Sequence, residues 1–192
     1  MKLSRANILT LFTLFLTSHT TLAGPASFTG LGDLAGGLTS SFAGAVSSDG
    51  TTVVGWSESI SGTEAFRWTA DTGMVGLGDL PGASFQSSAQ GVSSDGAVVI
   101  GLGISALSNE GFRWTSGSGM VGLGYFSEGY TYSYAYGVSS DGSVVVGQGH
   151  SSSGLEAFRW TSGNGMVGLG DLPGGDYYSQ ANGVSADGRV VV

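Results

Sequence analysis

Gln90-Gly91-Val92-Ser93-Ser94-Asp95-Gly96-Ala97-Val98-Val99-Ile100-Gly101 is the stretch that decides the fold. Asp-Gly lies there between two β-prone runs. That is a strong hairpin signal, because the turn needs a positive φ that glycine adopts freely and aspartate tolerates. The same hairpin recurs at Asp49-Gly50, Asp141-Gly142 and Asp187-Gly188, always at an interval of 46 residues. The runs that follow are apolar on both alternating faces: Val53-Val54, Val98-Val99-Ile100, Val144-Val145-Val146 and Val190-Val191-Val192. Strands of that kind are covered on both faces.

Working outward, a polar loop leads into Glu110-Gly111-Phe112-Arg113-Trp114-Thr115, a strand with Glu110, Phe112 and Trp114 on one side and Arg113 and Thr115 on the other. Ser116 to Gly119 reads as a turn. Met120-Val121-Gly122-Leu123-Gly124 is the next strand, and its alternate glycines would let a neighbouring sheet approach closely. The 46-residue interval also relates Trp68, Trp114 and Trp160, and the Met-Val-Gly-Leu-Gly strings that open at Met74, Met120 and Met166. Cut at those methionines, the repeats are 28–73, 74–119, 120–165 and 166–192, the first beginning with the degenerate Phe28-Thr29-Gly30-Leu31-Gly32 and the last truncated. Four short antiparallel strands per 40-to-50-residue repeat make a β-propeller blade. The expected fold is therefore all-β: tandem four-stranded repeats in a partial, open β-propeller, with a β-solenoid as the alternative. The fourth copy stops within its second strand, so the sequence reads as a piece of a longer protein or as a chain that completes itself by self-association through an open edge.

These residues resemble a known family. Gly-Val-Ser-x-Asp-Gly-x-Val-Val-Val-Gly, then Glu-Ala-Phe-Arg-Trp, then Gly-Met-Val-Gly-Leu-Gly-Asp-Leu-Pro-Gly-Gly, is similar to the bacterial extracellular HAF repeat, in register over residues 28 to 192. The resemblance implies a secreted or surface-exposed protein with propeller-like repeats, often associated with exosortase (PEP-CTERM) systems. The His-Ala-Phe tripeptide appears here as Glu64-Ala65-Phe66, Glu110-Gly111-Phe112 and Glu156-Ala157-Phe158, so any role of the histidine does not transfer. The Pro-Glu-Pro sorting motif before an apolar helix is absent from the sequence.

The first residues read as a signal peptide, 1–23. Lys2 and Arg5 precede an apolar stretch from Ile8 to Leu16, and Thr21-Leu22-Ala23 offers small residues for cleavage, leaving 24–192 as the repeat domain. That stretch is too short to span a bilayer. Cleavage leaves four arginines and no lysine against 14 acidic residues, a net charge of −10. Nucleic acid and anionic membranes are poor partners for such a chain, which leaves cations, extracellular neutral glycans and surface proteins as the partner classes open to it. The absence of cysteine excludes disulfides, thiol catalysis and thiolate metal sites.

Most chemically suggestive motifs have a plainer reading. Gly117-x-Gly119-x-x-Gly122 and Gly163-x-Gly165-x-x-Gly168 match a dinucleotide pattern but lead into no helix that could hold a pyrophosphate. Asp49, Asp95, Asp141 and Asp187 belong to turns and lack EF-hand spacing. Asp33, Asp79 and Asp171 share a position at which the third copy has Tyr125. Arg67, Arg113 and Arg159 are expected to pack on aromatic rings and to pair with acidic neighbours between blades. Phe66, Phe112 and Phe158, with Trp68, Trp114 and Trp160, are expected to form the core between blades. His150 is expected in a solvated serine–glycine loop. No cofactor and no metal are expected.

Recognition is expected where the copies differ. Tyr130, Tyr132, Tyr134 and Tyr136 alternate along one segment, which lays four phenol rings on one face if extended. The second copy has Ser84, Gln86, Ser88 and Gln90 there, and the fourth has Asp176, Tyr178, Gln180 and Asn182. A constant frame with one variable stretch is the pattern of a binding surface, and tyrosines suit glycan stacking or protein contact; filling of a wider gap between blades is the other reading of them. The sequence thus points to a secreted or cell-surface binding or structural module without catalysis. A propeller-type polysaccharide hydrolase or lyase, with its carboxylates on one face, is the alternative.

Overall fold

The computed structural model describes residues 28–128 and 130–192. The expected signal peptide lies outside them. Among the described residues, twelve strands form three four-stranded antiparallel sheets. The first blade holds β1 (Gly36–Val46), β2 (Thr52–Ser59), β3 (Gly62–Thr69) and β4 (Gly73–Gly76). The second holds β5 (Gly82–Val92), β6 (Val98–Ser105), β7 (Asn109–Thr115) and β8 (Gly119–Gly122), and the third β9 (Ser133–Val138), β10 (Val144–Ser151), β11 (Gly154–Thr161) and β12 (Gly165–Gly168). Within each sheet the strands follow chain order. Among the described residues there is no helix, and none long and apolar enough to cross a membrane.

The repeat extends to irregularities. Each first strand carries a bulge, at Gly44, Gln90 and Tyr136, so that two residues face one on the partner strand. A blade by itself cannot bury both faces of a single sheet, and the apolar side chains accordingly meet between blades. Val54, Ala65, Leu77 and Leu80 pack against Ala89, Val99 and Phe112. Val98, Ile100 and Leu123 pack against Ala135, Val145 and Phe158. Val144, Val146 and Ala157 pack against Ala181, Val184 and Val191 of the fourth copy.

That fourth copy forms no sheet of its own. A parallel bridge joins Leu155 to Tyr178, and an antiparallel one joins Val184 to Val191. Val192 closes this hairpin on Gly183 in both directions at 3.0 Å. At the other end of the array β1 is almost wholly exposed, with Leu38, Phe42 and Val46 in solvent.

Candidate recognition surface

The surface is best understood from the frame that holds it. In each hairpin the aspartate acts as an acceptor. Asp141 Oδ1 takes the Ser139 hydroxyl at 2.7 Å, the Ser143 N–H at 3.0 Å and the Ser143 hydroxyl at 2.8 Å. The Ser139 hydroxyl in turn accepts the Val144 N–H at 3.0 Å. Positive φ falls on the glycine alone, at +73°, +70°, +69° and +72° for Gly50, Gly96, Gly142 and Gly188. The expectation that aspartate shares the left-handed conformation is therefore corrected: the Ser139 N–H donates to the Val144 carbonyl across a four-residue loop, the left-handed Gly142 turns back to the Ser139 carbonyl at 2.9 Å, and aspartate ties down the loop's N–H groups. Hydrogen bonding, from Ser139 first, holds the Asp141 carboxyl down at about 2. Asp49, Asp95 and Asp187 are lowered for the same reason, each by its serine first.

Arginines clip one blade to the next. Arg67 Nε donates to the Gly96 carbonyl at 2.9 Å, Arg113 to Gly142 at 3.1 Å and Arg159 to Gly188 at 3.4 Å. An acidic partner was the expectation. The aspartates next to those glycines already serve their own turns, and the glycine carbonyl is the acceptor each turn presents to its neighbour. Among the described residues the one ion pair is local, Arg189 Nε to Asp187 Oδ2 at 3.8 Å.

Serines provide a second connection, from β5, from β9 and from the fourth copy. The Ser87 hydroxyl accepts the Ala65 N–H at 2.9 Å and donates to the Gly78 carbonyl at 2.6 Å. Ser133 does the same for Gly111 and Gly124, and Ser179 for Ala157 and Gly170. Phe66, Phe112 and Phe158 are fully buried, while Trp68, Trp114 and Trp160 are half-buried at the edge of the cores. Gly76, Gly122 and Gly168 do not admit a neighbouring sheet, as their alternation had suggested. A Cβ there would meet the carboxylates of Glu64, Glu110 and Glu156. Each carboxylate caps an N–H just beyond, such as that of Gly124 at 2.9 Å.

Asp79 and Asp171, at the position they share with Asp33, serve the next connection. Asp79 Oδ2 accepts the Gln86 N–H at 3.0 Å, and Asp171 Oδ2 accepts that of Tyr178 at 3.1 Å. Burial pushes the Asp79 carboxyl up. Tyr125, in the third copy, instead bonds Ser105 Oγ at 2.8 Å and Glu110 Oε2 at 3.3 Å. Among the described residues, no three His, Asp or Glu side chains gather as a metal site would require.

On this frame, Ser133 and Ala135 of β9 point inward and are buried, while Tyr132, Tyr134 and Tyr136 share the opposite face. The rings of Tyr132 and Tyr134 lie 4.7 Å apart and those of Tyr134 and Tyr136 6.0 Å apart. Tyr130 does not join this ladder. It precedes β9 and meets His150 edge-on at 4.7 Å. His150 is thus no loop residue: it belongs to β10, with Nδ1 2.9 Å from the Ser151 carbonyl oxygen. Tyr134 Oη accepts the Asn109 side-chain N–H at 3.0 Å. Burial, then the neighbouring tyrosines, pushes the Tyr132 phenol up to about 12, and burial raises that of Tyr136 as well. Both stay protonated donors at any physiological pH. Tyr178 is exposed and donates to Gln180 Oε1 at 3.4 Å.

Two features escaped the sequence reading. Ser41, Ser87, Ser133 and Ser179 recur every 46 residues in plain sight, hidden by the abundance of serine. Trp56 carries the opposite signal: it breaks the repeat, since Leu102 and Gln148 stand at its counterparts. It lines a cleft of about 300 Å³ between the first and second blades, together with Glu58, Gln86, Ser88 and Asn109.

No family model matches this chain, and no curated protein matches it. Solved structures do resemble it. TolB from Acinetobacter baumannii is 16% identical with a TM-score of 0.49, over 65% of this chain and 31% of that one. A protein provisionally designated TolB from Agrobacterium tumefaciens is 20% identical with a TM-score of 0.51, over 79% of this chain and 53% of that one. The chain thus spans about a third to a half of those proteins. The Agrobacterium likeness bears on fold alone and agrees with the propeller arrangement of the blades.

Proposed function

We propose that this chain is a binding module of the cell exterior, in which a constant propeller frame presents variable first-strand residues to a protein or glycan and no catalysis takes place. One observation carries the reading. The turn, arginine and serine connections repeat from blade to blade, whereas one face of the first strands changes its residues from copy to copy: Gln86, Ser88 and Gln90 on β5, Tyr132 just before β9 with Tyr134 and Tyr136 on it, and Tyr178 in the fourth copy. Binding sites are commonly variable segments on a rigid support. The resemblance to extracellular HAF repeats, the leader-like residues 1–23 and the acidic charge support placement outside the cytoplasm. Asp79 and Asp171 hold backbone N–H groups of the following connection, which favours a structural role for them over that of a hydrolase's acid pair.

The test is a glycan-array and surface-protein capture screen with the chain, followed by Tyr132→Ala and Tyr134→Ala. Weaker capture by variants that retain the thermal unfolding of the parent is expected. Unchanged capture would remove the tyrosines from the surface, and glycan turnover lost on Asp79→Asn would overturn the non-catalytic reading.

A further inference from the structure

We propose that the cleft between the first and second blades binds a neutral sugar ring against Trp56. The proposal rests on the reading that the variable first-strand positions serve recognition, and it adds a site and a ligand class to it.

Successive blades fill this place differently. One repeat on, Tyr132 and Tyr134 stand where Gln86 and Ser88 stand here. Tyr134 reaches Asn109 at 3.0 Å and lies against Tyr132, so phenol rings occupy the space between the second and third blades. The frame accepts bulk at these positions without losing its blade contacts. Between the first and second blades the short Ser88 leaves a cleft of about 300 Å³, at the small end of the range for ligand pockets and suited to one or two sugar rings.

Trp56 has no counterpart in the repeat and is absent from the cores between blades, so packing of the frame does not account for it. It remains half-exposed, with Phe42 stacked alongside at 6.4 Å and 19°. A flat indole at the side of a cleft of mixed lining, where Leu102 and Ile104 stand beside hydrogen-bonding groups, matches the C–H face of a pyranose. Around it stand Thr63, Gln86, Ser88 and Asn109, uncharged groups that both donate and accept, as vicinal hydroxyls require. Glu58 is the one ionisable lining residue. Its Oε1 takes the Thr63 hydroxyl at 2.8 Å, and its carboxylate repels uronates and phosphates. A quaternary ammonium would call for a cage of several aromatic rings, and Trp56 is the single aromatic side chain lining this cleft.

The experiment titrates the full chain with cellotriose and maltotriose as neutral probes, trigalacturonate as the acidic probe and choline as the cationic one, read by saturation-transfer NMR and calorimetry. Saturable binding of a neutral trisaccharide is expected, with trigalacturonate and choline each bound at least tenfold more weakly. Trp56→Leu and Ser88→Tyr install what the next blade already carries at these positions, so the fold tolerates both. Each is expected to weaken trisaccharide binding by about tenfold or more, with thermal unfolding unchanged. Failure of both neutral probes, tighter binding of choline or trigalacturonate, or trisaccharide binding indifferent to both substitutions would overturn the proposal. Loss on Tyr132→Ala with Trp56→Leu harmless would overturn it too, while leaving the tyrosine surface standing.

Discussion

Truncating Phe112 to alanine probes how the array holds together. The ring is fully buried in one cluster with Val54 and Ala65 of the preceding blade and Leu77 and Leu80 of the connection between β4 and β5. The change removes roughly 150 Å² of buried apolar surface, which at about 25 cal/mol/Å² amounts to about 4 kcal/mol. That value falls within the ~3–5 kcal/mol typical of phenylalanine truncation in cores. For a domain of this size it corresponds to a fall in Tm of about 8–16 °C. Thermal unfolding followed by circular dichroism measures the loss. Native-state hydrogen exchange locates it, because in a repeat array each unit is coupled chiefly to its neighbours. Amides of β3, β5 and β7 should lose protection, and those of β10 and β11 should keep theirs. A loss below about 1 kcal/mol, or an equal loss of protection in all three blades, would refute the assignment of the core to the space between blades.

Other substitutions test the polar connections. Ser133→Ala leaves the Gly111 N–H and the Gly124 carbonyl without their shared partner, and a loss of about 1–3 kcal/mol in urea unfolding is expected. Gly142→Ala forces a Cβ against Val98 at a φ of +69°, an expected cost of about 1–3 kcal/mol, whereas Gly163→Ala, with open space around it, should leave the unfolding midpoint unchanged. Asp141, held at about 2 in the fold against roughly 3.9 in the unfolded chain, contributes stability that is complete above about pH 4 and is lost as pH falls toward 2. Ser139→Ala should raise that carboxyl in a carbon-detected NMR titration and flatten this part of the acid transition; an unmoved pKa would contradict the turn chemistry.

Much of the fold was legible because the sequence states it repeatedly. A period of 46 with Asp-Gly between apolar runs leaves few ways to arrange the strands, and the blade order follows from chain order. The errors share one physical origin: sequence shows which residue types recur but not which atoms compete for them. Arg113 has acidic residues in reach of sequence reasoning, yet the aspartates are occupied by their own turns and a glycine carbonyl remains. Alternate glycines look like an invitation to a second sheet, yet the space belongs to a glutamate two positions along the neighbouring strand. Tyr130 continues the alternation on paper, but β9 begins only at Ser133, and the ring turns to His150 instead. Trp56 has no counterpart in the period, and the departures from a repeat carry the individuality of each blade.

The most direct measurement is a chemical-shift map of the isotopically labelled chain titrated with the best ligand from the screen. The account expects perturbations confined to the first-strand face and its clefts, at the Trp56 indole, Gln86, Ser88 and the tyrosines of β9. Perturbations centred on the Asp-Gly turns or on the outer strands β4, β8 and β12, with that face silent, would contradict it.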